Sequence, residues 1–303
     1  MKHTEEQKAI FNCIENTDDH LIVKAGAGTG KTTTIVESAT LLPQGTKAAF
    51  LAFNKSIATE LAEKLPTDVE AKTFHAFGFA AIRAAGVKTK VNSYKVNNII
   101  KDLLGADFYA APLKKLVSLI KGSLIEGNDR KAINRLIDEY NINFNSEREE
   151  EIAIQAIPSI LTMCRTQTHL IDFDDMIWMP LVNNYPFPKY DVLFVDEAQD
   201  FNESQREMIS KCVNGGRCII VGDSNQAIYG FRGADSNSIN LFRKRLEKGS
   251  RNITELPLSL TWRCPNTVVK EANRYVKEFS APDSAIDGSV VVEAPFLPQR
   301  NDM

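Results

Sequence analysis

Ala25-Gly-Ala-Gly-Thr-Gly-Lys-Thr32 is the stretch on which the fold turns. It follows the apolar run Leu21-Ile22-Val23 and leads directly into a polar-capped helix, so a short buried strand, a glycine-rich turn and a helix succeed one another. Glycines permit backbone angles that point successive N–H groups inward at phosphate oxygens, and the start of a helix adds its positive end. Lys31 reaches toward the outer phosphates, and the Thr32 hydroxyl is suited to a magnesium ion. Ala25 stands where this pattern asks for glycine. The candidate nucleotide-contacting residues are therefore Ala25, Gly26, Ala27, Gly28, Thr29, Gly30, Lys31, Thr32 and Thr33.

Upstream of the loop, Thr4 with Gln7 three residues later, ahead of Ile10, Phe11 and Ile14, is a capping-box helix start. Lys47-Ala-Ala-Phe-Leu-Ala-Phe53 reads as a second buried strand after the Pro43 and Gly45 punctuation. Asp191-Val-Leu-Phe-Val195 and Arg217-Cys-Ile-Ile-Val221 are two more, separated by a helix from Asn202 to about Val213. Strands alternating with helices favour a parallel α/β sheet covered on both faces. A nucleotide site of this type needs carboxylates at the end of a neighbouring strand, and Asp196 and Glu197 supply two. Asp196 is the candidate magnesium ligand and Glu197 the candidate general base.

From about Gly86 to Leu170 the strand-like runs vanish. Helical spacing replaces them, as in Leu113, Leu116, Val117, Ile120 and in Ile133, Leu136, Ile137, Tyr140. We expect residues 1–85 and 171–255 to form the α/β domain, 86–170 a helical insertion, and 256–303 the incomplete beginning of a second α/β domain. In that last part a strand is expected over Leu256–Leu260, a helix entered through Pro265, and a strand over Ser289–Glu293. The runs Glu147-Arg-Glu-Glu-Glu151 and Arg243-Lys-Arg245 read as solvated helix faces.

The 303 residues carry 36 Lys+Arg against 39 Asp+Glu, a net charge of −3. That balance speaks against binding nucleic acid by a bulk positive field and leaves a local basic groove open. Five cysteines without close spacing suggest a reducing compartment and no zinc site. No run approaches the roughly 18 apolar residues of a membrane span, so a cytoplasmic protein is expected.

Asp196-Glu-Ala-Gln-Asp200 after an apolar strand resembles motif II of superfamily 1 helicases of the UvrD/Rep type. Other segments resemble that family's motifs in order. They are Gln7 (Q motif), Phe53-Asn54-Lys55 (Ia), Thr73-Phe74-His75 (Ib), Asp172-Phe-Asp-Asp-Met176 (the acidic motif before II), Gly222 to Asp235 (III) and Leu260-Thr-Trp-Arg263 (IV). Trp262 stands where the family more often has Tyr, and Phe231 where it usually has Trp. The family's later motifs find no match between Arg263 and Met303.

The resemblance implies a RecA-like P-loop NTPase fold, with ATP and Mg2+ as cofactors and single-stranded DNA, or a single-strand/duplex junction, as partner. It also implies 3′ to 5′ movement. Residue by residue, it implies that Gln7 pairs with adenine, Trp262 stacks on it, Arg263 reaches the γ-phosphate and Gln226 couples nucleotide to DNA. Phe53, Asn54, Phe74, His75, Tyr229 and Phe231 become the candidate nucleic-acid contacts, the aromatic ones by stacking on bases, with a place in the core an equal alternative for Phe53 and Phe74. Two rivals stay open: an ATP- and DNA-binding module that hardly unwinds, and a small-molecule phosphotransferase with the same lysine loop.

Overall fold

The computed structural model describes residues 3–106, 108–213, 215–226, 237–276 and 278–291. In chain order its strands are β1 (His20–Ala25), β2 (Ala48–Ala52), β3 (Val69–Thr73), β4 (Lys90–Val91), β5 (Leu170–Ile171), β6 (Val192–Val195), β7 (Arg217–Gly222) and β8 (Ile253–Leu258). Six of them form one sheet, in the order β3-β2-β6-β7-β1-β8, and every pairing is parallel. Its helices are α1 (Glu5–Asn16), α2 (Lys31–Thr40), α3 (Lys55–Lys64), α4 (Phe74–Ala84), α5 (Lys95–Leu104), α6 (Ala110–Ser123), α7 (Arg130–Glu139), α8 (Glu147–Thr166), α9 (Phe173–Val182), α10 (Glu203–Cys212), α11 (Ser238–Leu246) and α12 (Asn266–Ala272).

The central strands are mostly apolar, with His20, Lys24 and Arg217 the exceptions on β1 and β7, because helices cover both faces. Alternate residues along each strand serve opposite cores. Leu21, Val23, Phe50, Phe194 and Ile219 pack with Ile10 and Ile35 on one side; Ile22, Leu51, Val195 and Ile220 pack with Phe77, Met208 and Phe242 on the other. Phe50 and Phe194, directly opposite on β2 and β6, stack with ring centroids 6.1 Å apart. The expected parallel α/β sheet is therefore present, and its loop-bearing strand β1 lies between β7 and β8.

Helices α5 to α8 build a third core around Leu113, Leu116, Ile120, Ile133, Ile157 and Ile160, closed by Trp178 and Met179 of α9. At the two ends of this helical stretch β4 pairs with β5, where Lys90 N donates to His169 O and Asn92 N to Ile171 O. A buried ionic node ties these helices to α9. Lys95 Nζ lies 2.7 Å from Asp175 Oδ2 and donates to Cys164 O; Lys121 Nζ lies 3.0 Å from Asp172 Oδ2 and 2.8 Å from Asp175 Oδ1.

Two expectations about the chain's end need correction. The strand placed at Leu256–Leu260, as the opening of a new unit, is β8, which begins at Ile253 and pairs with β1 as the edge of the same sheet. Pro257 fits there, because an edge strand has one side with no ladder to complete. Residues 289–291 form no strand, and the rest of the expected Ser289–Glu293 strand lies outside the described residues. The basic run on α11 keeps Arg243 and Lys244 exposed, as a solvated helix face should, while Arg243 pairs with Glu247 and Glu255 and Arg245 with Glu203 and Glu207.

Candidate functional site

The loop between β1 and α2 sits at the carboxyl ends of parallel strands, where open α/β sheets bind ligands. Gly28 and Gly30 hold φ of 71° and 81°, so the loop uses the left-handed freedom its glycines provide. Thr29, buried, donates to Gly26 O at 2.9 Å and closes the turn. The segment after β8 packs against it. Thr261 Oγ1 donates to Ala27 O at 2.8 Å and Trp262 N to Gly28 O at 2.9 Å, while a side chain at Gly28 would collide with Arg263 Cβ. Trp262 and Arg263 are thus carried to the mouth of the loop by backbone contacts. Trp262 remains 59% exposed and offers a free ring face. Ser259 ties this segment to the first helix, donating from both N and Oγ to the Glu6 carboxylate.

From the next strands come the carboxylates. Lys31 Nζ lies 3.5 Å from Glu197 Oε2, and Thr32 Oγ1 3.5 Å from Asp196 Oδ2. Burial pushes the Asp196 carboxyl up to about 6, and the neighbouring Glu197 charge adds to the rise. Glu197 adopts φ 54°, ψ 42°, a left-handed conformation that is strained for a residue with a Cβ. Beyond it, Gln199 Nε2 donates to Glu197 Oε2 at 2.7 Å, its Oε1 accepts from Asp223 N at 3.1 Å, and Gln226 Nε2 donates to Asp223 Oδ2 at 2.7 Å. Lys31, Asp196, Glu197 and Gln226 are therefore brought into one polar array. Gln7 Oε1 accepts from Thr4 N, completing the capping box, and its Nε2 donates to Thr34 on α2. Thr33 faces outward at the start of α2.

A second concavity opens at the carboxyl ends of β2 and β3. Phe53, Asn54, Thr73, His75, Lys114, Lys115, Phe173 and Asn202 line it. Asn54 caps α3, accepting from Ile57 N. His75 meets Phe173 edge to face at 5.9 Å, and burial lowers the His75 pKa below its usual 6.5. Phe74 is not a surface platform: it is 1% exposed, packed edge to face on Phe201 at 4.9 Å within the core. Of the two readings open for Phe74, a base contact or a core aromatic at a strand end, the structure selects the core. Tyr229 and Phe231 lie outside the described residues. Phe173 was missed, although an aromatic inside an acidic cap, 56% exposed, marks it out once the helix start is placed. Gln199, Lys95 and Lys121 were missed as well, since long polar side chains carry no burial signal in sequence.

Residues 3–247 match the family described as the UvrD/REP helicase N-terminal domain. Among curated proteins the chain is similar to F-box DNA helicase protein 1 of Schizosaccharomyces pombe, with 31% identity over 89% of this chain and 32% of that protein. It is also similar to the probable DNA helicase II homolog of Mycoplasma pneumoniae (28%, covering 92% and 43%). A third relative is ATP-dependent DNA helicase Rep of Buchnera aphidicola from Acyrthosiphon pisum (26%, covering 88% and 44%). The chain thus spans less than half the length of each of these relatives.

Proposed function

Because the chain belongs to the UvrD/REP helicase family, we propose that its glycine-rich loop binds magnesium-ATP and that its second concavity binds single-stranded DNA. Hydrolysis at the first site moves the protein along the strand held in the second. The observation that carries this reading is the convergence of Lys31, Thr32, Asp196 and Glu197 on the loop between β1 and α2. The array matches what phosphoryl transfer to water requires: a lysine for the outer phosphates, a cation site and a base aimed at the attacking water.

The residues present fit magnesium. A hydroxyl and a buried carboxylate, Thr32 Oγ1 and Asp196 Oδ2, are hard oxygen donors, and a carboxylate burial has pushed toward neutral is one a divalent cation would relieve. When bound, the ion supplies charge neutralisation at the phosphates. Lys31 shifts from Glu197 to the phosphate oxygens, which frees the Glu197 carboxylate to take a proton from water. Trp262 gives the base a stacking face, and Arg263 approaches the outer phosphate from the same segment. Gln7 turns its amide from Thr34 to the adenine edge.

In the groove, Phe53, His75 and Phe173 stack on bases without reading sequence, while Asn54, Lys114 and Lys115 hold the backbone. Movement from 3′ to 5′ and the division into an ATPase domain, a helical insertion and the start of a second domain belong to this proposal.

Lys31→Ala and Glu197→Gln test the site. Both are expected to lower ATP turnover by about 100-fold or more, with Glu197→Gln retaining affinity for a fluorescent ATP analogue. Turnover unchanged in either variant removes the assignment. Polarity is read from single strands labelled at one end: 3′ to 5′ movement brings the protein to a fluorophore at the 5′ end, and arrival at the 3′ end instead reverses the proposed direction.

A further inference from the structure

Glu197 is held in a backbone conformation few side-chain-bearing residues adopt, and its carboxylate needs a fixed direction to act on one water. Among the described residues two side chains hydrogen-bond to it. Lys31 lies 3.5 Å from Oε2 and is the group that leaves for phosphate when nucleotide binds. Gln199 donates to the same oxygen at 2.7 Å and has no such alternative task.

The Gln199 side chain is 2% exposed, and both ends of its amide are used within the fold. Its Nε2 faces Glu197, and its Oε1 accepts from Asp223 N at the carboxyl end of β7. Asp223 in turn accepts from Gln226. Gly222 gives the amide its room, because a Cβ there would stand 2.7 Å from Gln199 Oε1 and 3.2 Å from Ala198 N. With no positive φ at Gly222, what demands glycine is this approach rather than backbone conformation.

We propose that Gln199 is a positioning residue. Its amide fixes the Glu197 carboxylate toward the attacking water and ties it to Asp223 at the end of β7 and, through Asp223, to Gln226, so that the base and Gln226 shift together. This inference rests on the assignment of Glu197 as general base and adds a residue that acts through it. Gln199 itself touches no substrate.

The test compares Gln199→Met, which keeps the shape and loses both hydrogen bonds, with Gln199→Glu, which keeps the acceptor toward Asp223 N and sets a carboxylate against Glu197. Gly222→Ala displaces the amide without altering it and serves as the independent variant. All three, and wild type, are measured for ATP turnover with and without oligodeoxythymidylate, and for the Kd of a fluorescent ATP analogue. We expect kcat to fall about 10- to 100-fold in each, as is usual when a partner that orients a reacting group is removed. We expect nucleotide Kd to stay within about twofold and the stimulation by DNA to disappear. The double variant Gln199→Met/Gly222→Ala should lose no more than Gln199→Met alone, because one contact is broken twice.

A purely structural residue would instead weaken nucleotide binding and turnover together, and that outcome overturns the proposal. So does wild-type kcat in Gln199→Met while Glu197→Gln is inactive, a result that leaves the general base intact. If wild type itself hydrolyses no ATP, the functional reading falls and this role falls with it.

Discussion

Single side chains decide most of what this protein is expected to do, and one of them also makes its stability depend on pH. His20, buried at the start of β1, accepts from Cys218 N through Nδ1, so it is held neutral. Burial, with Arg251 adding to it, lowers its pKa below the usual 6.5. The unfolded chain therefore takes up a proton that the folded chain refuses once pH drops below about 6.5, and stability present above that value is lost as pH falls. Urea unfolding at about pH 7 and about pH 5 should show this decline. His20→Asn, which keeps an acceptor and loses the titration, should flatten it; an equal slope in the variant removes His20 as its source. The groove makes a second prediction at this scale. Phe173→Ala should weaken binding to oligodeoxythymidylate by about 1–3 kcal/mol, a typical loss for one stacked base, measured by fluorescence anisotropy. Phe74→Leu should change stability and leave DNA affinity nearly unchanged.

Elements meet here through close approaches and buried charge. Gly78 on α4 lies so near α9 that a Cβ would stand 1.8 Å from Met176 O, a backbone atom that cannot step aside. Gly78→Ala is expected to cost about 2–3 kcal/mol through overpacking, read from the urea midpoint. The ionic node sets the same helix against α5 and α6. Burial works against the Lys121 charge, but Asp175 and Asp172 outweigh it and raise the ammonium's pKa well above its ordinary value. Lys121→Met takes from Asp172 its 3.0 Å lysine partner and leaves Asp175 to Lys95, and about 3 kcal/mol should be lost. Adding Asp172→Asn, which retains a capping side chain for α9, should recover part of that loss; no recovery would mean the charge balance is not what the node supplies. Legibility follows the same division. The strand–loop–helix unit and the amphipathic helices α6 and α7 are local patterns, so sequence shows them. The start of β8 is set by pairing with β1 across more than 200 residues, and the register Leu21 to Thr254 has no local sign. Lys95 and Lys121 look like exposed helix positions until their partners on α9 are placed.

At the scale of the whole molecule, two sites share one sheet. The nucleotide loop and its carboxylates lie at the ends of β1, β6 and β7, while the aromatic groove begins where β2 and β3 run out. The loop, Asp196 and Glu197 were legible because strand ends and spacing announce them. The groove was legible only in part, since Phe53 and His75 were named but their partners Phe173, Lys114 and Lys115 come from the helical stretch and its return, distant in sequence. Lys55, Lys114 and Lys115 gather in the groove beside Asp174 and Asp200, so the net charge of −3 is no obstacle to the proposed strand binding. No helix among the described residues is long and apolar enough to cross a membrane. In the proposed mechanism ATP chemistry in the cleft answers to DNA in the groove. The decisive measurement is steady-state ATP hydrolysis by this chain with and without oligodeoxythymidylate. Turnover is expected to rise several-fold with the oligonucleotide and to vanish in Glu197→Gln; identical turnover with and without DNA would sever the two sites and end the proposal.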